Sequence, residues 1–321
     1  MLFHHKTEYQ PNASTNVRFV PKADIRDLGK GKAIIGLPFA NSERNITMSD
    51  FSAFAELERR SWSDATRASS YVELFAAAPD QAIDHLLDAA GARRDSKVLD
   101  LCCGQGNVSE ALLSRDCHVV GVDFSPAMLA FARKRVRNAT FIEADAQELP
   151  FDDAEFDIVV SNLGVCHVPD QSRALAEARR VLRSGGKFAM TVWCGPERSP
   201  CFAAVYRAIK THGHPDVSAP PGPDFHQFAR PDMAVKLLSA AGFSKIDMTT
   251  VDCVWDLVAP DDLFEIYAKG TVRAAMVLSK QPPGNLAAIR SALTAAVREQ
   301  FACGDRWRVP VLPAALVRAT A

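Results

Sequence analysis

Val98-Leu99-Asp100-Leu101-Cys102-Cys103-Gly104-Gln105-Gly106-Asn107-Val108-Ser109 decides how the rest of the chain is read. An apolar run carries an acid, breaks at two glycines, and resumes as Val108-Ser109-Glu110-Ala111-Leu112-Leu113. That pattern is a buried strand, a tight turn and the opening of a helix. Glycine suits such a turn when a ligand has to approach the backbone closely. A plain glycine turn between core elements is the competing reading until the neighbouring segments are considered.

Two ligand classes use a turn of this kind. A dinucleotide rests its pyrophosphate on the helix N-terminus, with the fingerprint G-x-G-x-x-G/A. Here the run is Gly104-Gln105-Gly106-Asn107-Val108-Ser109, with Ser at the third small position. Asp100 is more informative. A carboxylate at that mouth repels a pyrophosphate and suits a cofactor with a cationic amino-acid tail. S-adenosylmethionine (SAM) has that tail, a positive sulfonium and no phosphate.

The neighbouring segments continue the pattern. Val119-Val120-Gly121-Val122-Asp123 is a second strand ending in an acid, about 20 residues on, where a ribose-binding carboxylate is expected. Phe141-Ile142-Glu143-Ala144-Asp145-Ala146 is a third, and Phe156-Asp157-Ile158-Val159-Val160-Ser161-Asn162 a fourth. Leu182-Arg183-Ser184-Gly185-Gly186 reads as a helix end with a Gly-Gly stop, and Lys187-Phe188-Ala189-Met190-Thr191-Val192-Trp193 as a fifth strand. The ordered series from Val98 to Trp193, roughly a third of the chain, resembles the class I SAM-dependent methyltransferases. It is most similar to the small-molecule group that includes the ubiquinone/menaquinone-biosynthesis enzymes. One departure is visible: Cys102 stands where the family loop usually has its first glycine.

The resemblance implies a fold and a site. The fold is α/β: a doubly wound, mostly parallel seven-stranded sheet whose last strand is antiparallel, with helical lid elements. The alternation of strands and helices agrees with a doubly wound sheet. Ligands bind such sheets beyond the carboxyl ends of the strands, so the strand-end acids converge on one cleft. By resemblance, Asp100 and Gly104 contact the methionine part of SAM, and Gly106 lets the cofactor lie against the backbone. Asp123 accepts from both ribose hydroxyls, Met128 or Phe124 packs on the adenine, and Asp145 accepts from its exocyclic amine beside the Ala146 N–H. Asn162 and His167, after the fourth strand, fall near the transferred methyl. Methyl transfer is an in-line displacement that relies on alignment. A base is needed only where the acceptor loses a proton, and His167 is the residue placed for that. The competing readings are a helix-opening cap for Asp123, a turn residue for Asp145 and a structural loop hydrogen bond for His167.

Composition narrows the function classes. A net charge of −1 over 321 residues offers no basic footprint for nucleic acid or anionic membrane. No apolar run reaches the length of a membrane span. The eight cysteines include no C-x-x-C pair, and no Cys/His spacing suggests zinc, so no metal site is expected. A cytoplasmic enzyme with a small-molecule substrate is the expectation.

The chain divides unevenly. Residues 1–47 carry three prolines, scattered charge and no sustained period, and read as disordered or as a mis-assigned leader before Met48. Residues 48–95 are helical and expected to cover the cofactor site. Ser49-Asp50 offers a helix cap, Tyr71, Leu74, Phe75 and Ala78 share one face, Pro79 interrupts, and Gly91 ends the last helix. Tyr71, Phe75 and Trp62 are either core or substrate border. Ser125 caps a helix that opens at Pro126 and runs to about Val136, and Asp170 caps the next. Residues 96–321 form the cofactor domain. After the fifth strand, a helix spans Cys201 to His212 and a Pro/Gly-rich loop follows to Phe228. Asp232 to Ala241 is helical and Ser244 to Val251 is a sixth strand. Helices over Asp261 to Ser279 and Asn285 to Phe301 form an insertion, about 261–301, before a last strand at Val309 to Arg318. His212, His214 and His226 are weaker catalytic candidates than His167. Two alternatives remain at this level: an NAD(P)-dependent Rossmann oxidoreductase, and a non-catalytic SAM-binding partner protein.

Overall fold

The computed structural model of the protein describes residues 51–321. The leader expected over residues 1–47 and the Ser49-Asp50 cap lie outside the described residues.

The strands are β1 (Lys97–Leu101), β2 (His118–Asp123), β3 (Thr140–Glu143), β4 (Phe156–Asn162), β5 (Leu182–Trp193), β6 (Ser244–Leu257), β7 (Ala302–Cys303) and β8 (Arg306–Thr320). They form one sheet in the order β3-β2-β1-β4-β5-β8-β6, with β7 paired to β8 off that path. Among the described residues the sheet has eight strands where seven were expected. The extra one is the two-residue β7, which folds back on β8 at Ala302↔Trp307 and Cys303↔Arg306. The pairs among β1 to β5 are parallel, and β8 runs antiparallel to both β5 and β6. Val98, Leu99 and Leu101 of β1 are fully buried, as a strand covered on both faces requires.

The strand order reverses at β1, which has β2 on one side and β4 on the other. A doubly wound sheet opens its ligand crevice at that point, beyond the strand carboxyl ends. The segments after β1 and β4, Cys102–Gly106 and Leu163–His167, thus share one cleft.

The helices are α1 (Ser52–Ser63), α2 (Ala65–Ser70), α3 (Ile83–Ala90), α4 (Asn107–Leu113), α5 (Pro126–Arg135), α6 (Gln171–Val181), α7 (Pro200–His212), α8 (Pro231–Ala240), α9 (Asp262–Gly270), α10 (Arg273–Ser279) and α11 (Pro283–Gln300). Local signals set most of their ends. Ser125 accepts the Met128 N–H, and Asp170 the Arg173 N–H. Gly91 ends α3 in the left-handed conformation at φ +70°. Between α2 and α3 the chain makes a π-turn over Tyr71–Phe75, closed by the Ala76 N–H on the Tyr71 carbonyl at 3.0 Å, and a 3-10 turn over Pro79–Ala82.

Three boundaries differ from the sequence reading. The Gly185-Gly186 pair does not separate helix from strand. Strand β5 begins at Leu182 opposite Phe156, and its pairing with β4 then skips to Lys187 opposite Ile158, so the glycines form an irregularity inside the strand. Strand β6 continues to Leu257, paired with the long β8. The helix expected from Asp261 to Ser279 is two. It breaks at Thr271-Val272, where the Thr271 hydroxyl donates to the Tyr267 carbonyl at 2.7 Å. Arg67 of α2 caps the end of α9 there. Its Nη1 donates to the carbonyls of Lys269 at 2.7 Å and Thr271 at 2.9 Å, which ties the first helices to the late ones.

Candidate active site

The turn after β1 is a run of left-handed residues: φ is +59° at Cys102, +53° at Gly104 and +83° at Gly106. This explains why glycine is usual at the Cys102 position, since a side chain with Cβ costs about 1–2 kcal/mol in that conformation. The turn is pinned from β2. The Cys103 N–H donates to the Val122 carbonyl at 2.9 Å, and the Gly104 N–H to Asp123 Oδ2 at 2.9 Å. The other carboxylate oxygen of Asp123 accepts the Ser125 N–H at 2.9 Å. Each oxygen has a further lone pair, so the buried carboxylate can still accept from a pair of hydroxyls. Burial raises the Asp123 pKa, opposed by the Ser125 and Gly104 N–H groups.

Asp100 lies at the floor of the cleft, 1% exposed. Its Oδ2 accepts the Ser109 hydroxyl at 2.6 Å, while Oδ1 is buried with no hydrogen-bond partner among the described residues. Burial pushes its pKa up to about 7, against the Ser109 hydrogen bond, and the nearby Asp123 pushes the same way. A cationic ligand group meets both needs: it supplies a partner for Oδ1 and favours the ionised form. Beside these carboxylates the Gly104 α-carbon faces open space, with nothing within 4 Å of an added Cβ. Gly106 does not. Its α-carbon faces Ala132 of α5, 3.2 Å from a built Cβ, so its role in the turn is close helix packing.

The remaining expected cofactor residues are placed as follows. Met128 is buried in a small cluster with Leu57, Trp62, Ala68 and Val272, the seam between α5 and the first helices. Phe124 lies under the Arg59 guanidinium at 5.5 Å. Asp145 Oδ1 accepts from the Gln147 backbone and side-chain amides at 2.9 Å each, and Oδ2 meets Arg59 Nη2 at 3.3 Å. Ala146 follows it, buried. Asn162 bonds to the protein at each end of its amide: Nδ2 donates to the Pro79 carbonyl at 3.2 Å, and Oδ1 accepts from Thr191, which leaves one N–H and one lone pair.

Across the cleft, His167 ends a short 3-10 turn, Val165–His167, with a quarter of its side chain exposed. Its Nδ1 lies 2.9 Å from Oε2 of Glu58, a carboxylate only 2% exposed on α1. The same oxygen accepts the Trp62 indole N–H at 2.9 Å. A wall of aromatic rings surrounds this pair. It runs from Trp62 to Tyr71 (5.2 Å between centroids), Phe75 (5.3 Å), Trp255 (5.1 Å) and Tyr267 (6.2 Å). It returns through Phe202 (6.1 Å), His226 (5.5 Å) and Phe225 (5.5 Å) to His167 (5.2 Å), which meets Trp62 at 5.4 Å. Tyr71, Phe75 and Trp62 are thus both core and wall. His226 is occupied there: Nδ1 donates to the Trp193 carbonyl at 2.9 Å, and Nε2 faces the Tyr206 hydroxyl at 3.3 Å.

Sequence reasoning missed Glu58, Ser109 and Thr191. Glu58 had a readable signal. It falls on the helical stripe Phe54, Leu57, Trp62, the buried face of α1, where a carboxylate is costly unless partnered.

A profile for the methyltransferase domain matches residues 99–190, the span of β1 to β5. Among curated proteins, the demethylmenaquinone methyltransferase of Thermus thermophilus is 32% identical over 174 residues, covering 49% of this chain and 79% of that one. The chain belongs to the class I SAM-dependent methyltransferases. The demethylmenaquinone methyltransferase of Renibacterium salmoninarum is 38% identical over 121 residues, 38% of this methyltransferase-family chain and 51% of the relative. The chain thus spans about half the length of several curated relatives it matches. A candidate methyltransferase of an antibiotic-biosynthesis pathway from Anabaena variabilis shares the fold, with a TM-score of 0.51 at 15% identity, covering 74% of this chain and 96% of that one. Among the described residues, no helix is long and apolar enough to cross a membrane.

Proposed function

We propose that this protein binds S-adenosylmethionine in the cleft beyond β1 and β2 and transfers its methyl group to a small organic acceptor at O, N or C. The observation that carries the reading is the pair of buried carboxylates at the switch point. Asp123 is oriented by two backbone N–H groups, and Asp100 has one oxygen without a partner. That charge pattern opposes a pyrophosphate and suits a cofactor with a cationic tail and a ribose. The cofactor supplies an electrophilic methyl group. The chain's own residues do the rest: Asp123 holds the ribose hydroxyls, Asp100 the ammonium and Asp145 the adenine amine. The rigid turn from Cys102 to Gly106 and the β4 end fix the direction of approach.

The N-terminal helices and the 261–301 segment form the lid over the acceptor, supported by the Arg67 link between α2 and α9. The relatives' names make a demethylmenaquinone ring the first acceptor to try. A cytosolic location fits the eight cysteines, all free.

Calorimetry with SAM and with NAD on the full chain, with Asp123→Ala as control, tests the reading. Micromolar SAM binding lost in the variant is the expected outcome. NAD binding without SAM binding overturns it.

A further inference from the structure

Glu58 has no task in holding the cofactor, yet it is among the most deeply buried carboxylates of the chain. A carboxylate removed from water either takes up a proton or keeps its charge against a positive partner. Its direct partners are the Trp62 indole N–H and His167 Nδ1, both on Oε2 at 2.9 Å. Oε1 is buried with no hydrogen-bond partner among the described residues.

That contact has a consequence for the imidazole. With Nδ1 donating to Glu58, the hydrogen on Nδ1 is fixed in the neutral ring and in the cation alike, and Nε2 becomes the nitrogen left for chemistry. The ring plane is held as well, between the edges of Trp62 at 5.4 Å and Phe225 at 5.2 Å, both near perpendicular. The Trp62 carbonyl accepts the Ser125 hydroxyl at 2.6 Å. Ser125 in turn donates its N–H to Asp123, so the position of His167 is referenced to the cofactor cleft through four hydrogen bonds.

The groups facing His167 are Glu58 from α1, Cys166 on its own turn and Asp123 at the end of β2. Arg273 of α10 is also within electrostatic reach of Glu58 and Cys166. Burial opposes a charge on the imidazole. The Glu58 carboxylate on Nδ1 favours that charge and raises His167 above the ordinary imidazole range.

We infer that Glu58 is a positioning residue: it locks His167 with Nδ1 on its own carboxylate and Nε2–H turned to the acceptor as a donor, so that the acceptor meets His167 with an anionic oxygen. This rests on the methyl-transfer reading. It replaces the expected base with a donor: His167 neither gains nor loses a proton, and the favoured acceptors are those that arrive ionised, as an enolate, phenolate or carboxylate.

Long-range 1H–15N NMR of the histidine rings in the full chain tests this without any acceptor, with His167→Gln assigning the signal among the eight histidines. In the native protein the His167 midpoint is expected above the ordinary imidazole range, with Nδ1 protonated throughout. In Glu58→Gln it falls by about one unit or more, while calorimetric SAM affinity stays within about twofold. A His167 ring that is neutral at pH 7 in the native protein overturns the inference, and that measurement needs no variant to fold. An unshifted midpoint in folded Glu58→Gln with SAM binding intact overturns it alone. Absence of SAM binding in the native protein removes the methyl-transfer reading and the acceptor class with it, and the same titration still reports whether Glu58 locks the ring.

Discussion

The cofactor cleft and the aromatic enclosure beside it share a border at His167, but they are assembled differently. In the cleft, Asp100, Gly104, Asp123 and Asp145 each sit in or just past a strand, and all come from the segment the family profile matches. In the enclosure, Glu58, Trp62, His167, Phe225 and Tyr267 come from four segments spread over more than two hundred residues. The cleft is held by backbone N–H groups on carboxylates, and the enclosure by side chain on side chain. Backbone geometry tolerates sequence drift, whereas a side-chain circuit depends on each member. The cleft is therefore the part suited to a common cofactor, and the enclosure the part where one member of a family differs from another.

The largest expected effect lies in the cleft. Asp123→Ala removes the carboxylate proposed to meet the ribose, which also anchors Gly104 and Ser125. Two charge-assisted hydrogen bonds at about 1.5–3 kcal/mol each predict at least a 100-fold loss of SAM affinity by calorimetry, roughly. A loss of only a few-fold would move the ribose contact elsewhere.

Next comes the border between the two regions. Gly164 lies so close to the β1 turn that a Cβ there would stand 2.3 Å from Cys102 Cβ and 2.9 Å from Ser161 Oγ. Gly164→Ala is expected to cost about 1–3 kcal/mol in urea unfolding. Gly284→Ala, with nothing within 4 Å, should stay within about 0.5 kcal/mol. Equal effects of the two would mean the loops do not pack as described.

The pH dependence of binding separates the regions further. Asp100 has a folded pKa near 7, raised from its ordinary value, so its share of stability in the free protein is full at low pH and lost as pH rises through 7. A cationic ligand group reverses the preference. SAM should bind about tenfold more tightly at pH 8 than at pH 6, with release of a proton, and Asp100→Asn should flatten that slope. A flat profile in the native protein would remove Asp100 from the ammonium site.

The smallest effect belongs to the enclosure. Trp62→Phe keeps the ring contacts and deletes one hydrogen bond to Glu58, which retains His167. A loss of about 1 kcal/mol in unfolding free energy is expected, with SAM binding nearly unchanged. A large drop in SAM affinity would show that the enclosure is part of the cofactor site.

Local spacing accounts for what was legible. The strand-turn-helix after Val98, the Ser125 and Asp170 caps and the Gly91 stop are each fixed by residues within a few positions of one another. The errors were also local in origin. Gly185-Gly186 looks like a helix stop because helix ends and strand irregularities both use left-handed glycine, and only the register against β4 separates them. The break between α9 and α10 had a local signal in Gly270, the last residue of α9, which the periodic pattern on either side masked; the Arg67 side chain arriving from α2 caps it.

The sequence by itself determined the cofactor half: alternating strands and helices, the acids at the strand ends and the turn that brings them together, because each depends on short-range periodicity and backbone conformation. Only the tertiary structure decided that Asn162 bonds to Pro79 and Thr191, that Gly106 packs on Ala132, and that a buried Glu58 meets His167. These contacts join residues about thirty to more than a hundred positions apart, and their partners are chosen by how the layers pack rather than by anything the intervening chain spells out.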